Sequence, residues 1–158
     1  MKKIFLIIFL LPIIAFSQLQ VFEDYIPSDN LGEIYHKTFY SLSFIDEYRI
    51  PEWTIYMLTK DRLNIEERVK RGSFRIDKDI KSSAKLIDYK RSGYDRGHLV
   101  PAADMAFDSI AMRECNYMSN ITPQSPKFNR GIWRNLESKI RNYVRDTLYD
   151  YDSLIIIT

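Results

Sequence analysis

The sequence predicts an α+β fold, in which strands and helices occupy separate stretches of the chain. Residues 38–45 (TFYSLSFI) and 53–59 (WTIYMLT) are aromatic and β-branched, as expected of strands. Residues 130–148 repeat apolar side chains at helical spacing, and the final SLIIIT (153–158) has the pattern of a buried strand. Strands followed by helices and then by a further strand are typical of this class.

Shorter elements are predicted between the two strands and the long helix. Residues 46–52 (DEYRIPE) form the turn, and residues 73–77 (SFRID) and 84–89 (AKLIDY) are weaker strand candidates. Residues 94–104 (YDRGHLVPAAD) are predicted to be a loop, whose glycine allows backbone conformations closed to other residues. A helix is expected from Pro101, since proline is tolerated in a first turn.

The second half of the chain contains the clearest helix. Residues 119–129 (SNITPQSPKFN) carry two prolines and are predicted to be a loop, with Asn129 as the N-cap of the helix that follows. The apolar side chains that fall near one face of that helix are Ile132, Trp133, Leu136, Ile140, Tyr143, Val144 and Leu148.

The N-terminus has the pattern of a secretory signal peptide, predicted over residues 1–17, with one domain over residues 18–158. Lys2 and Lys3 precede an apolar stretch and a small-x-small cleavage pattern. The alternative, a membrane anchor, is disfavoured because the apolar stretch is short and no stop-transfer charges follow. We therefore expect export to a periplasmic or secreted location, with no stable membrane association after cleavage. Cys115 cannot form an intrachain disulfide and is predicted to be a small buried residue.

Basic residues are concentrated on both sides of the DRGH stretch. Without Lys2 and Lys3 the chain is neutral, with 21 basic and 21 acidic residues. Residues 60–96 nevertheless carry 12 basic and 7 acidic groups, and residues 127–145 carry 6 and 1. Such blocks either line a cleft for a polyanion or form ordinary solvated faces, and charge alone does not separate the two.

His98 is the residue that points to catalysis. A neutral imidazole can accept a proton from water near pH 7, and the neighbouring Arg96 is suited to gripping a phosphate. The pair favours phosphodiester hydrolysis, for which a divalent cation with a few hard oxygen ligands would neutralise developing charge.

Side-chain amides are the metal ligands that the sequence offers: Asn116, Asn120, Gln124 and Asn129. The alternative is turn and capping chemistry, which is the preferred interpretation for Asn120 and Gln124 taken alone. On the long helix Asn129, Trp133, Glu137 and Arg141 form one stripe. This stripe is either a Glu137–Arg141 ion pair beside a core tryptophan, or a metal ligand with a carboxylate that orients a metal-bound water.

Two long motifs, YDRGHLVPAADM and NYMSNITPQSPKFNRGIWRNLE, resemble the DNA/RNA non-specific endonuclease family of ββα-metal nucleases, which includes endonuclease G. The resemblance is tight over residues 88–141 and looser over the upstream strands. It implies a ββα-metal nuclease fold, with a central antiparallel sheet and helices, and a Mg²⁺ cofactor for which Mn²⁺ can substitute.

The resemblance also implies roles for individual residues. His98 would be the general base, Asn129 the direct magnesium ligand, and Glu137 the holder of a metal-bound water. Arg96 and Arg141 would meet the phosphate. The supporting residues it implies are Asn120 and Gln124 in the active-site loop, Asn116 beside them, and Arg71 as the arginine contributed by VKRGSFRID.

We therefore expect an exported, magnesium-dependent endonuclease that cuts DNA and RNA with little sequence preference. The alternatives are a catalytically inactive nucleic-acid-binding module of the same fold and a secreted structural protein. Members of the family continue beyond the strand that SLIIIT resembles, so the chain is expected to be shorter than the complete domain. The alternative is a short variant that closes its sheet by homodimerising through this edge.

Overall fold

A computed structural model describes residues 23–146 and 152–158, so the predicted signal peptide (1–17) and Leu148 lie outside the described residues. The main sheet is antiparallel and has the strand order β1-β2-β3-β6. Its strands are β1 (Glu33–His36), β2 (Tyr40–Ile45), β3 (Ile50–Thr59) and β6 (Ser153–Ile157). The three strands predicted from aromatic and β-branched runs are thereby confirmed, whereas β1 was not predicted.

Strand β3 begins earlier than predicted, at Ile50, so the turn is shorter than residues 46–52. Pro51 is part of the strand and lies opposite Phe44, where the register between β2 and β3 shifts. A proline is tolerated at such an irregularity, because no ladder hydrogen bond depends on its missing N–H.

The two weak strand predictions in the middle of the chain are wrong. Residues 73–77 contribute an isolated bridge between Arg75 and Tyr117, and residues 84–89 contain a 3-10 helix, Leu86–Tyr89. Asp88 explains the helix, because its carboxylate accepts a hydrogen bond from the Lys85 backbone N–H at 2.8 Å. This local capping bond favours a helical turn over an extended segment.

The DRGH stretch is a strand and not the predicted loop. Strand β4 (Asp95–His98) pairs antiparallel with β5 (Ile121–Gln124), which lies inside the second stretch predicted to be a loop. Gly97 is extended, so its role is close approach and not a turn. A Cβ at this position would lie 2.1 Å from Cδ of Gln124, whose side chain crosses the strand there.

The helices also begin later than predicted. A short helix α1 covers Lys60–Leu63, and helix α2 covers Ser109–Cys115. The N-cap of α2 is Asp108, whose carboxylate accepts from the backbone N–H groups of Ile110 and Ala111. The long helix α3 (Arg134–Arg145) is preceded by a π-helical turn, Phe128–Trp133. Asn129 lies inside that turn and is therefore not the N-cap.

The hydrophobic core lies between one face of the main sheet and the helices. Its fully buried members include Leu42, Phe44, Leu58, Met105, Cys115 and Val144, which confirms the burial predicted for Cys115. The predicted apolar face of the long helix is only partly correct: Val144 and Ile140 pack on the core, but Ile132, Leu136 and Tyr143 are exposed. Within the described residues, no helix has both the length and the apolar character needed to cross a membrane.

Candidate active site

A cavity of about 450 Å³ brings together five residues that the sequence singled out from distant positions. They are Arg71, Arg96, His98, Asn129 and Glu137. Strand β4 supplies Arg96 and His98, the π-helical turn supplies Asn129, and helix α3 supplies Glu137. The π-helical turn is itself informative, since such turns are rare and often occur at functional sites.

His98 is held in one tautomer at the end of β4. The side-chain amide N–H of Asn116 donates to the Met112 carbonyl at 2.7 Å, so the amide oxygen faces the imidazole. His98 Nε2 lies 3.2 Å from that oxygen and donates its proton to it. The proton is therefore on Nε2, and Nδ1 carries the lone pair, for which no hydrogen bond occurs within the described residues.

The surroundings of His98 keep the imidazole neutral. Burial, and to a smaller extent the charge of Arg71, lower its pKa to about 4, although the hydrogen bond to Asn116 opposes both effects. Only 8% of the residue is exposed. A neutral, oriented imidazole at neutral pH is the form that a general base needs.

Asn129 is oriented by Asp95, the first residue of β4. Its side-chain amide donates to Asp95 Oδ2 at 3.0 Å, which leaves the amide oxygen for the cavity. Arg130 grips the same carboxylate through two bonds of 2.7 and 2.6 Å. These hydrogen bonds, that of Arg130 first, lower the pKa of Asp95 to about 2, so it stays ionised and holds both neighbours in place.

Glu137 is the acidic group on the cavity wall. Its pKa is raised to about 7, mainly by burial; the charge of Arg141 opposes this shift and that of Asp104 adds to it. A nearby cation would stabilise the ionised form of this carboxyl group. No group of three or more histidine, cysteine, aspartate or glutamate side chains able to hold a metal occurs within the described residues.

The donor set nevertheless fits magnesium better than zinc. The amide oxygen of Asn129 and the carboxylate of Glu137 are hard oxygen donors on the wall of one cavity. Magnesium prefers such donors and keeps several of its waters, so a few protein ligands are sufficient.

Phe74 is a residue that sequence analysis missed. Its ring lies under the guanidinium groups of Arg96 and Arg71, with Cζ atoms 4.5 and 5.3 Å from the ring centre. The imidazole of His98 packs on it at 5.2 Å. Phe74 therefore links the proposed base to two cations. The available signal was that Phe74 is the only aromatic residue in the basic stretch 60–88.

Two further cavity arginines were counted only as part of a basic block. Arg130 and Arg134 line the cavity beside Arg71 and Arg96. Among the described residues, Arg130 is ion-paired with Asp95, whereas Arg71, Arg96 and Arg134 form no ion pair. The cavity wall therefore carries three arginines that form no ion pair among the described residues, with Glu137 as the acidic group on the same wall.

Arg141 does not line the cavity, contrary to the phosphate contact that was expected. Its guanidinium donates to Asp104 Oδ1 at 2.7 Å and to Ser138 at 3.1 Å. Asp104 is buried and also accepts from the hydroxyl of Tyr56 at 2.7 Å. The geometry thus favours a structural role, which sequence could not show because Asp104 is 37 residues away.

Asn120 and Gln124 also lie outside the cavity lining. Asn120 is fully buried, donates to the carbonyls of Val100 and Cys115, and accepts from the Val100 N–H. Gln124 is buried across Gly97. For both residues the geometry favours supporting the β4–β5 ladder over the contact with substrate that was expected.

Comparison with known proteins relates this arrangement to characterised nucleases. The family model described as DNA/RNA non-specific endonuclease matches residues 18–157. The mitochondrial nuclease of Saccharomyces cerevisiae is 38% identical over 112 residues, which cover 68% of this chain and 33% of that protein. Human endonuclease G, mitochondrial, is 32% identical over 117 residues, covering 73% and 39%.

A solved structure supports the same relationship. The crystal structure of the EndoG/EndoGI complex matches with a TM-score of 0.79 and 28% identity, covering 89% of this chain and 58% of that one. The predicted ββα-metal nuclease fold is therefore confirmed. The chain spans about a third of the length of the curated relatives given above.

The comparisons also correct the expected location. Relatives from mouse, zebrafish, two yeasts and human are mitochondrial nucleases by name, so the prediction of an exported, periplasmic or secreted protein is wrong. The family expectation, in contrast, is confirmed by the family model and by these nucleases together. This chain belongs to the DNA/RNA non-specific endonuclease family.

Proposed function

We propose that this protein hydrolyses phosphodiester bonds of DNA and RNA as a magnesium-dependent endonuclease. This proposal rests mainly on the position of His98. Its neutral imidazole keeps the Nδ1 lone pair available in a cavity that presents Arg71, Arg96 and Arg134 without carboxylate partners among the described residues. A base beside several phosphate-binding groups is the arrangement that phosphodiester hydrolysis requires.

Each residue has a distinct task in this proposal. His98 accepts the proton of the attacking water at Nδ1, while its Nε2–H continues to donate to the amide oxygen of Asn116. The arginines bind and orient the phosphate, and Phe74 holds two of them in place. The amide oxygen of Asn129 and the carboxylate of Glu137 would hold the magnesium ion and its waters. When bound, the ion stabilises negative charge on the phosphoryl oxygens and on the leaving group.

The arginines of the catalytic cavity explain why little sequence preference is expected. Guanidinium groups recognise phosphates, and phosphate contacts carry no direct information about the base. Both DNA and RNA present this backbone. The proposal therefore covers both nucleic acids, without a preference between them.

A cleavage assay with matched variants tests the proposal. The protein should nick supercoiled plasmid and cut RNA in magnesium, and EDTA should stop both reactions. Asn129→Ala should require more magnesium and should be partly rescued at high concentration, because the waters can replace one ligand. Binding without cleavage under all metal conditions would instead support an inactive nucleic-acid-binding module.

A further inference from the structure

Two further cavities lie beside the catalytic cavity. A cavity of about 520 Å³ shares Arg96 with it. A third cavity, of about 290 Å³, shares Tyr89 and Tyr94 with the second. We name the second and third cavities together the tyrosine groove. Because each cavity shares wall residues with the next, the tyrosine groove lies next to the catalytic cavity.

The walls of the tyrosine groove carry several exposed aromatic and apolar side chains. Tyr48 and Tyr94 are 61% and 54% exposed, and Ile87 is 63% exposed. Pro123 adds a further apolar surface from β5. Single exposed apolar residues are common, but a contiguous set in one concave surface indicates binding.

Special backbone conformations occur next to both exposed tyrosines. Tyr94 follows Gly93, which has a φ of +82°, and its N–H donates to the Ser92 hydroxyl at 3.1 Å. Tyr48 precedes Arg49, which has a φ of +59°. A non-glycine residue in this region is strained, and it persists where its surroundings fix it.

The side chain of Arg49 supplies those fixing contacts. It donates to the Ser82 carbonyl at 3.0 Å and to Asp88 at 3.0 Å, which ties the β2–β3 turn to the segment opposite. The third cavity, lined by Arg49 and Asp88, is therefore pre-formed. Pre-formed sites lose less entropy when they bind a ligand.

Charge in the groove favours an anionic ligand. Lys90 and Arg96 line the second cavity and form no ion pair among the described residues. The acidic wall residues are already neutralised, Asp95 by Arg130 and Asp88 by Arg49. Aromatic faces alternating with cations are the pattern that binds single-stranded nucleic acid, by stacking its bases and neutralising its phosphates.

We infer that the tyrosine groove binds a single-stranded stretch of the substrate that flanks the cleaved bond. Its bases stack on Tyr94 and Tyr48, and its phosphates lie near Lys90 and Arg96. A paired duplex cannot be bound in this way, because its base faces are stacked on each other. The inference rests on the proposed function, since it extends the path of the same substrate.

Binding of labelled oligonucleotides of two lengths tests this inference. The protein with His98→Ala, in EDTA, is titrated with thymidylates and uridylates of about three and about twelve nucleotides, since stacking sites extend over several nucleotides. Adding Tyr94→Ala should weaken binding of the long oligomers about tenfold and leave the short ones unchanged. Tyr94→Phe should bind like the parent, because its ring still stacks. Comparing the affinities for thymidylates and uridylates shows whether DNA, RNA or both bind in the groove.

Tyr25→Ala is the matched control, because Tyr25 is 53% exposed and does not line the groove. Equal affinities of Tyr94→Ala and Tyr25→Ala for the long oligomers would contradict binding in the groove. Plasmid cleavage by the parent would then show that the proposed function still stands. If oligomers of neither length bind and the parent does not cleave, both proposals fail. Should Tyr94→Ala unfold, Tyr48→Ala gives the decision from an independent segment.

Discussion

Asn129 and Asp95 are joined by a hydrogen bond of 3.0 Å, although 34 positions separate them in the chain. The bond connects the π-helical turn to strand β4 and directs the amide oxygen of Asn129 away from the carboxylate. Asp95 is therefore a positioning residue for the proposed metal ligand. This explains why an aspartate stands in the DRGH stretch without taking part in the chemistry.

Replacing Asp95 tests this positioning. In Asp95→Ala the amide of Asn129 can rotate, so we expect the magnesium concentration for half-maximal cleavage to rise about 10- to 100-fold. Activity at saturating magnesium should recover in part. Asp79→Ala is the control, because Asp79 is exposed and pairs with Lys37 outside the catalytic cavity. An unchanged magnesium requirement in Asp95→Ala would show that the hydrogen bond does not position the ligand.

Replacing His98 tests the base. His98→Ala should lower kcat by at least about 100-fold, in line with general-base contributions, while affinity for DNA in EDTA changes little. His36→Ala is a suitable control, since that imidazole lies on β1 and its Nδ1 pairs with the Ser41 hydroxyl. Comparable cleavage by His98→Ala and the parent would remove His98 from the mechanism.

The low pKa of His98 predicts a loss of stability in acid. The unfolded histidine binds a proton near pH 6.5, but the folded one does so only near pH 4. Protonation therefore favours the unfolded chain as the pH falls through this window. Because of His98, the free energy of unfolding should be about 3 kcal/mol lower at pH 4 than it is above pH 6.5.

Urea unfolding of the parent and of His98→Gln, in EDTA, isolates this contribution. The comparison at each pH cancels other titrating groups, including Glu137, whose raised pKa of about 7 acts in the opposite direction. The unfolding free energy of the parent should fall relative to that of His98→Gln between pH 7 and pH 4. A constant difference would mean that the imidazole is not held neutral by the fold.

The long strands of the main sheet could be predicted from the sequence, whereas the short strand β4 could not. Strands β2 and β3 show their burial as aromatic and β-branched runs, because their side chains form the core. Strand β4 shows no such run: it has four residues, one of them a glycine selected by contact with Gln124. Contacts between distant segments decide such short strands, and spacing along the chain does not record them.

The same limit separates the predicted site residues that line the cavity from those that do not. His98, Asn129 and Glu137 line one cavity, as the resemblance to the family implied. Arg141 lies on the same stripe of helix α3 as Glu137, so spacing could not distinguish them. The buried partner Asp104 distinguishes them, because it withdraws Arg141 from the cavity.

Removing the charge of Arg141 should therefore lower the stability of the protein much more than removing the charge of Arg71. Arg141→Ala leaves Asp104 buried without its cation, so we expect a loss of about 3 kcal/mol in the free energy of unfolding. Arg71 is exposed and its guanidinium lies on the face of Phe74, so Arg71→Ala should change stability by less than about 0.5 kcal/mol. Urea unfolding at neutral pH measures both values.

Nucleic-acid binding should show the reverse order. In the His98→Ala protein, Arg71→Ala should weaken DNA binding and reduce the slope of log affinity against log salt by about one, as expected for one lost phosphate contact. Arg141→Met, which keeps much of the side-chain volume, should leave this slope unchanged, provided that the variant is folded at the assay temperature. A reduced slope for Arg141→Met with an unchanged slope for Arg71→Ala would place Arg141, and not Arg71, on the phosphate.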